Sequence, residues 1–219
     1  AATVLNTLNG YTTGVVNAAT VATLTGFGGD INTAYTAGSA GTISGLGDEA
    51  VTLTDLTIDG SVLNTVDSNT SGVVNASSVT TLSGSLSDIN SSYTANGAGT
   101  ISGLGDEIIS FTDTSASATA LNTADNNTSG IVNTTNLVTI TGAAADVNTV
   151  YASSGFSNLG NEAVTLSDTT LGAAVLNTTN GYTTGVVNAG TVHTITGTST
   201  AITTAYNANT AGTISGLGN

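Results

Sequence analysis

The sequence predicts a solenoid of stacked rungs in which a parallel β-strand ladder alternates with short helices or helical turns. Three observations carry this. A segment recurs along the chain every 58 residues, a finer period of 29 lies inside it, and the composition cannot build one large core of bulky side chains. Of 219 residues 39% are hydrophobic but only 4% aromatic, and Trp, Met, Cys and Pro are absent. Periods of 20 to 50 residues mark solenoids, whose coils bury their apolar side only against their neighbours. The chain reads as one continuous array, 1–219, of seven strand rungs with no separate domains.

The long period is read from Val4-Leu5-Asn6-Thr7, which returns at Val62, Ala120 and Val175 with spacings of 58, 58 and 55. The short last step reflects a three-residue deletion in one loop: Tyr35 to Leu46 and Tyr93 to Leu104 span 11 residues, but Tyr151 to Leu159 spans 8. The 29-residue period is read from segments of the type Thr23-Leu24-Thr25-Gly26 and Thr52-Leu53-Thr54-Asp55, whose last residue alternates between Gly and Asp.

Each rung divides into parts. Apolar-polar alternation, as in Val51-Thr52-Leu53-Thr54, predicts a strand with one buried face. Like residues then stack, with Leu24, Leu53, Leu82, Phe111, Ile140, Leu166 and Ile195 inside. Lead-ins such as Gly14-Val15-Val16-Asn17 and Ile43-Ser44-Gly45-Leu46-Gly47 read as irregular, their glycines marking turns. After the strand the apolar spacing becomes four, at Phe27, Ile31 and Tyr35 or at Ile58, Val62 and Val66, which is helical. Thr25 or Asp55 stands where an N-cap belongs, and Asn9-Gly10 or Asn96-Gly97 where the helix ends. The alternative is an all-β solenoid, since Thr, Asn and Ser are poor helix formers. Strands stack about 4.8 Å apart and helices about 8 to 10 Å, so a straight stack cannot hold both.

Both ends fall inside a repeat. Ala1-Ala2-Thr3 aligns with Gly172-Ala173-Ala174, and Gly216-Leu217-Gly218-Asn219 with Asn158-Leu159-Gly160-Asn161. Without polar end caps, the expectation is an excerpt of a longer array or a unit that joins end to end, its partners being neighbouring repeats or copies of itself.

With no Lys or Arg against 14 Asp and Glu, the net charge is -14. Such a chain repels phosphate, so neither nucleic acid nor an anionic membrane is expected as a partner, whereas cations are. His193 is the one histidine; with no partner recurring beside it, no catalytic site and no enzyme activity are expected. The periodic carboxylates are the candidate site. Asp48, Glu49 and Asp55 recur as Asp106, Glu107 and Asp113, and as Asn161, Glu162 and Asp168, while Asp30, Asp88 and Asp146 form a second series. They read first as solvated caps and turn acids. Calcium, which takes hard oxygen ligands, is the alternative for Asp48, Glu49, Asp55, Asp106, Glu107, Asp113, Glu162 and Asp168; no other cofactor is expected. Gly45-Leu46-Gly47-Asp48-Glu49 resembles the RTX calcium nonapeptide only in part, because RTX units run every nine residues. A third reading takes two outward hydroxyl columns, Thr23 to Thr194 and Thr25 to Thr196, as a flat array for ice or another lattice.

The segments Leu-Thr-Gly, Asp-Ile-Asn, Gly-Leu-Gly-Asp/Asn-Glu-Ala-Val-Thr-Leu and Val-Leu-Asn-Thr resemble, over the whole chain, the tandem arrays of very large secreted or cell-surface proteins of marine bacteria, cyanobacteria among them. The resemblance implies a structural role outside the cell, in a fibre, surface layer or adhesin stalk.

Overall fold

The computed structural model describes residues 1–218. The chain forms two compact units, Ala1–Ser110 with Asn127–Gly130, and Phe111–Asn126 with Ile131–Asn219. In the first, helices α1 (Ala2–Tyr11), α2 (Gly28–Ser39), α3 (Gly60–Ser68) and α4 (Leu86–Ala98) alternate with groups of short strands. Strands β1 (Val16–Asn17) and β2 (Thr23–Gly26) follow α1, and β3 (Ile43–Ser44), β4 (Ala50–Leu53) and β5 (Thr57–Asp59) follow α2. Strands β6 (Val74–Asn75) and β7 (Thr81–Gly84) follow α3, and β8 (Ile101–Ser102) and β9 (Ile108–Phe111) follow α4. The second unit continues with β10 (Ser115–Ser117), α5 (Ala118–Asn127), β11 (Val132–Asn133), β12 (Thr139–Gly142), α6 (Ala144–Ala152), β13 (Phe156–Ser157), β14 (Ala163–Leu166) and β15 (Thr170–Gly172). It ends with α7 (Ala173–Tyr182), β16 (Val187–Asn188), β17 (Thr194–Thr196), α8 (Ser199–Ala211) and β18 (Ile214–Ser215).

Helices thus alternate with parallel strands, a repeated solenoid-like α/β arrangement and not the all-β alternative. In the first unit β1 pairs with β3, β2 with β4, β4 with β6, β5 with β7 and β6 with β8, all parallel. In the second, β10 pairs with β12, β11 with β13, β12 with β14, β14 with β16, β15 with β17 and β16 with β18. Each of these pairings joins strands two places apart in chain order, and a helix supplies the crossover that parallel neighbours require. The lead-ins Val16-Asn17 and Ile43-Ser44, expected to be irregular, are themselves strands. Two residues are too few to display an alternation.

The apolar strand residues face inward as the alternation predicts: Leu24, Leu53, Leu82, Phe111, Ile140 and Leu166 are buried, and only Ile195 is half-buried. Their register differs from the expectation that like residues stack. Leu24 lies beside Val51 and Leu53 beside Gly26; Leu82 lies beside Ile58; Leu166 lies beside Gly142. Where β2 meets β4 and β12 meets β14 the register is shifted by two residues, which keeps every side chain on its face and sets the bulky Leu53 and Leu166 opposite glycines. Large fills the space beside small. Leu82, Ile140 and Ile195 lie instead beside Ile58, Ala116 and Leu171 of the further strands β5, β10 and β15.

Within the first unit, β4 pairs with the second strand of the group before it and the first strand of the group after it. The pairing therefore slides by one strand position at each three-strand group. From Ala50 to Thr57 that slide is at most about 23 Å of extended chain. Consecutive helices touch as α1·α2, α2·α3 and α3·α4. Small residues open the helices where they leave the strands: Ala2, Gly28, Gly60, Ala118, Ala144 and Ala173 are all buried. A Cβ at Gly60 would stand 3.0 Å from the Asp88 and Ile89 backbone.

The expected helix ends are corrected. Asn9-Gly10 and Asn96-Gly97 lie inside α1 and α4, and α4 stops at Gly99, whose φ of 85° is the left-handed conformation that favours glycine. The Asn96 side chain instead pins the following loop, accepting from Leu104 N–H (3.3 Å) and donating to the Leu104 carbonyl (3.4 Å).

Candidate functional site

The recurring acids are drawn into two devices that join one pass of the chain to the next. The first is built around Glu49, Glu107 and Glu162, all about 1% exposed or less. Two residues before each glutamate a glycine turns the chain so that its own N–H meets the carboxylate, Gly47 to Glu49 Oε2 at 2.9 Å and Gly105 to Glu107 Oε2 at 2.9 Å. A tyrosine from the preceding helix donates to the same oxygen: Tyr35 at 3.2 Å, Tyr93 at 2.8 Å and Tyr151 at 3.0 Å. The glutamate carbonyl accepts from the hydroxyl of Thr70 (2.6 Å), Thr128 (2.7 Å) or Thr183 (2.7 Å), which stand 21 residues further on. Two residues past each threonine only glycine fits, since a Cβ at Gly72, Gly130 or Gly185 would lie 2.2 to 2.3 Å from that carbonyl oxygen.

The tyrosines respond to this setting. Burial raises the Tyr35 phenol to about 12, opposed by a hydrogen bond from Thr70 and reinforced by the Glu49 charge. Burial first, and then the Glu107 or Glu162 charge, push Tyr93 and Tyr151 upward as well. They remain neutral donors across the physiological range. In the third cluster one oxygen, Glu162 Oε1, is buried without a partner. That cluster adjoins the three-residue deletion, where Asn158 takes the left-handed conformation (φ 66°) held by Gly45 and Gly103 in the other repeats. Asn tolerates this region better than other side chains, and Asn158 Nδ2 donates to Asn133 Oδ1 (3.1 Å) and Thr135 Oγ1 (3.0 Å).

The second device is a helix cap supplied from the neighbouring pass. Asp55 does not cap its own helix, where Asp59 accepts from Ser61 N–H; its Oδ2 accepts from Gly28 N–H at the start of α2 (2.9 Å). Asp168 does the same for Ala144 of α6 (2.8 Å). A carboxylate there meets both unpaired N–H groups and the positive end of the helix dipole. Thr25 is not a cap, since α2 opens at Phe27. Asp113 is half-buried at the position equivalent to Asp55, while Asp48 and Asp106 are exposed. Of the acids read as possible calcium ligands, the glutamates and Asp55 and Asp168 thus carry protein donors, and the glutamates are not solvated as a turn acid would be. Among the described residues no three acids or histidines converge as a metal-binding group.

A third device was not foreseen. Asn6 Nδ2 donates to the Asp30 carbonyl (2.9 Å), Asn32 to Val62 (3.2 Å) and Asn64 to Asp88 (2.9 Å). In the second unit Asn122 donates to Asp146 (3.0 Å), Asn148 to Val175 (3.3 Å) and Asn177 to Ala201 (2.9 Å). Each asparagine thus reaches from one helix to a carbonyl of the next. Ser92 and Thr179 add hydroxyl bonds to Asn64 and Asn148 Oδ1, at 2.7 and 2.8 Å. The signal was in the repeat itself: Asn recurs at one position of helix after helix, although it is a poor helix former.

The two hydroxyl columns do not form as read. With the register shifted, Thr25 lies beside Thr52, then Asn75 and Ser102, and the second unit gives Ser117, Thr141, Thr165, Asn188 and Ser215. Asn75 and Asn188 fold back to accept the N–H groups of Ser77 and Gly190, both at 3.0 Å. His193 is exposed. Compared with known proteins, the chain matches no family model, no curated sequence and no solved structure.

Proposed function

We propose that the chain is a structural segment of an extracellular fibre, surface layer or adhesin stalk: a solenoid of 29-residue rungs that contributes length and stiffness. One observation carries this reading. Asn in the helices, the Thr that bonds each buried Glu's carbonyl, and Asp at the helix starts all recur with the repeat and bond to the adjacent pass of the same chain, while Tyr and Gly hold each Glu carboxylate within its own pass. Recurrence serves stacking. The absence of Lys and Arg supports a life outside the cell, since trypsin-like proteases find no site to cut. The test is electron microscopy of native cells and secreted material labelled with an antibody to this segment. The reading expects label along fibres, stalks or a surface layer, with rungs near the β-strand spacing of about 4.8 Å. Label confined to dispersed compact particles inside cells would overturn it.

A further inference from the structure

We infer that a second copy of this chain packs on the outer face of the β-sheets, sheet against sheet, so that arrays associate side by side; the inference rests on the structural-array reading. Helices cover one face of each sheet and leave the other bare. In the sheets β2-β4-β6-β8 of the first unit and β10-β12-β14-β16-β18 of the second, the residues that alternate with the buried ones are exposed or half-buried. Sheets made only of parallel strands almost always have both faces covered. One outward position is moreover aliphatic each time it recurs: Val15, Val73, Ile131 and Val186 are 62%, 47%, 42% and 44% exposed. Water alone does not call for that side chain, and Thr100 and Thr213 of the next strands show the alternative that water favours.

The distribution of charge selects a second copy as the occupant. A chain of net charge -14 repels its own copies wherever carboxylates meet, yet neither of these two sheets holds an Asp or Glu. Among the described strands the one acid is Asp59, in β5 of another sheet. The face also fits itself. Val51 pairs with Val74 and Val164 with Val187, which one residue back sets Val73 beside Ala50 and Val186 beside Ala163. Each protruding valine thus has a shallow place next to it, and two copies related by a twofold axis seat valine over alanine in both directions, an isologous contact. Sheets packed face to face lie about 10 Å apart. A neutral polysaccharide is the other uncharged candidate, but sugar rings are held by stacking on aromatic side chains, and these two sheets carry none.

The test is sedimentation equilibrium over a range of protein concentrations at high salt, where the remaining charge is screened. The unaltered chain should associate reversibly. Val73→Asp combined with Val186→Asp puts a carboxylate on the face in each unit and should weaken association at least about tenfold, because docking would bury it unpaired. Thr65→Asp combined with Thr123→Asp adds the same charge at exposed positions of α3 and α5 and should leave association unchanged. All four sites are exposed, so circular dichroism and urea midpoints should stay those of the unaltered chain. The milder pair Val73→Thr and Val186→Thr keeps a strand-favouring side chain and should weaken association in the same direction. A monomer at every concentration, equal effects of the two Asp pairs, or a monomer that binds cellulose or chitin particles through Val73 and Val186 would each overturn the inference. The two readings fail separately: native fibres one array wide contradict only the side-by-side contact, and association in solution of a protein that labelling finds dispersed inside cells contradicts only the structural role.

Discussion

A glycine, a tyrosine and a glutamate illustrate how much single residues fix. Gly130 lies where a Cβ would stand 2.2 Å from the Glu107 carbonyl oxygen, and that oxygen already receives the Thr128 hydroxyl. Gly130→Ala must therefore displace a hydrogen-bonded strand start, and we expect a loss of about 1–3 kcal/mol in chemical denaturation. Exposed Gly97, with nothing near its Cβ, is the control, and Gly97→Ala should cost nothing. The buried tyrosines predict a pH effect. Their folded phenols titrate above the unfolded value near 10, so above that pH the unfolded chain loses protons that the fold retains. Stability is then whole below pH 10 and falls as pH rises from 10 towards about 12, the Tyr35 value. Urea midpoints from pH 8 to pH 11 should decline only above pH 10, and less steeply in Tyr93→Phe. A flat profile would show the phenols to be unburied. These clusters were half legible. Tyr, Glu and Thr each recur at 58 residues or close to it, but recurrence names no partner, and an acid beside glycines in an acidic chain reads as solvated or cation-bound.

At the scale of elements, the asparagine bonds are what distinguish this helix layer from one held by apolar contacts alone. Asn122→Ala removes the donor to the Asp146 carbonyl and should cost about 1 kcal/mol, the net worth of such a bond. Thr123→Ala, one residue on, removes only a hydroxyl turned to its own helix at Thr119 and should change stability by less than about 0.5 kcal/mol. Equal effects would mean that the inter-helix bond contributes nothing. Helices and strands were legible as types because their periods differ. Register was not, because a two-residue shift leaves every face unchanged, and because Thr57–Asp59, Ser115–Ser117 and Thr170–Gly172 form further strands that take Leu82, Ile140 and Ile195 as partners. Helix ends were misread at Asn9-Gly10 and Asn96-Gly97, where helical packing overrode a local turn signal.

For the molecule as a whole, charge and repetition set the expectations. Fourteen carboxylates without a basic side chain repel one another, so added monovalent salt should raise the melting temperature by screening. A chelator at constant ionic strength should leave it unchanged, since the buried glutamates and the capping Asp55 and Asp168 already have protein donors. A fall on chelation would instead establish a structural calcium ion. The recurrence of segments was the most legible feature of the sequence, because a repeat announces itself before any residue is interpreted. If each pass is held by its neighbours through the same few bonds, as we propose, the repeat is modular. Deleting residues 64–121, one full 58-residue period, joins Leu63 to Asn122 and preserves every kind of junction. The shortened protein should fold cooperatively with the same circular dichroism per residue and a denaturant slope reduced in proportion to its length. An unfolded or non-cooperative product would contradict the claim, because it would mean that the passes depend on contacts beyond their neighbours.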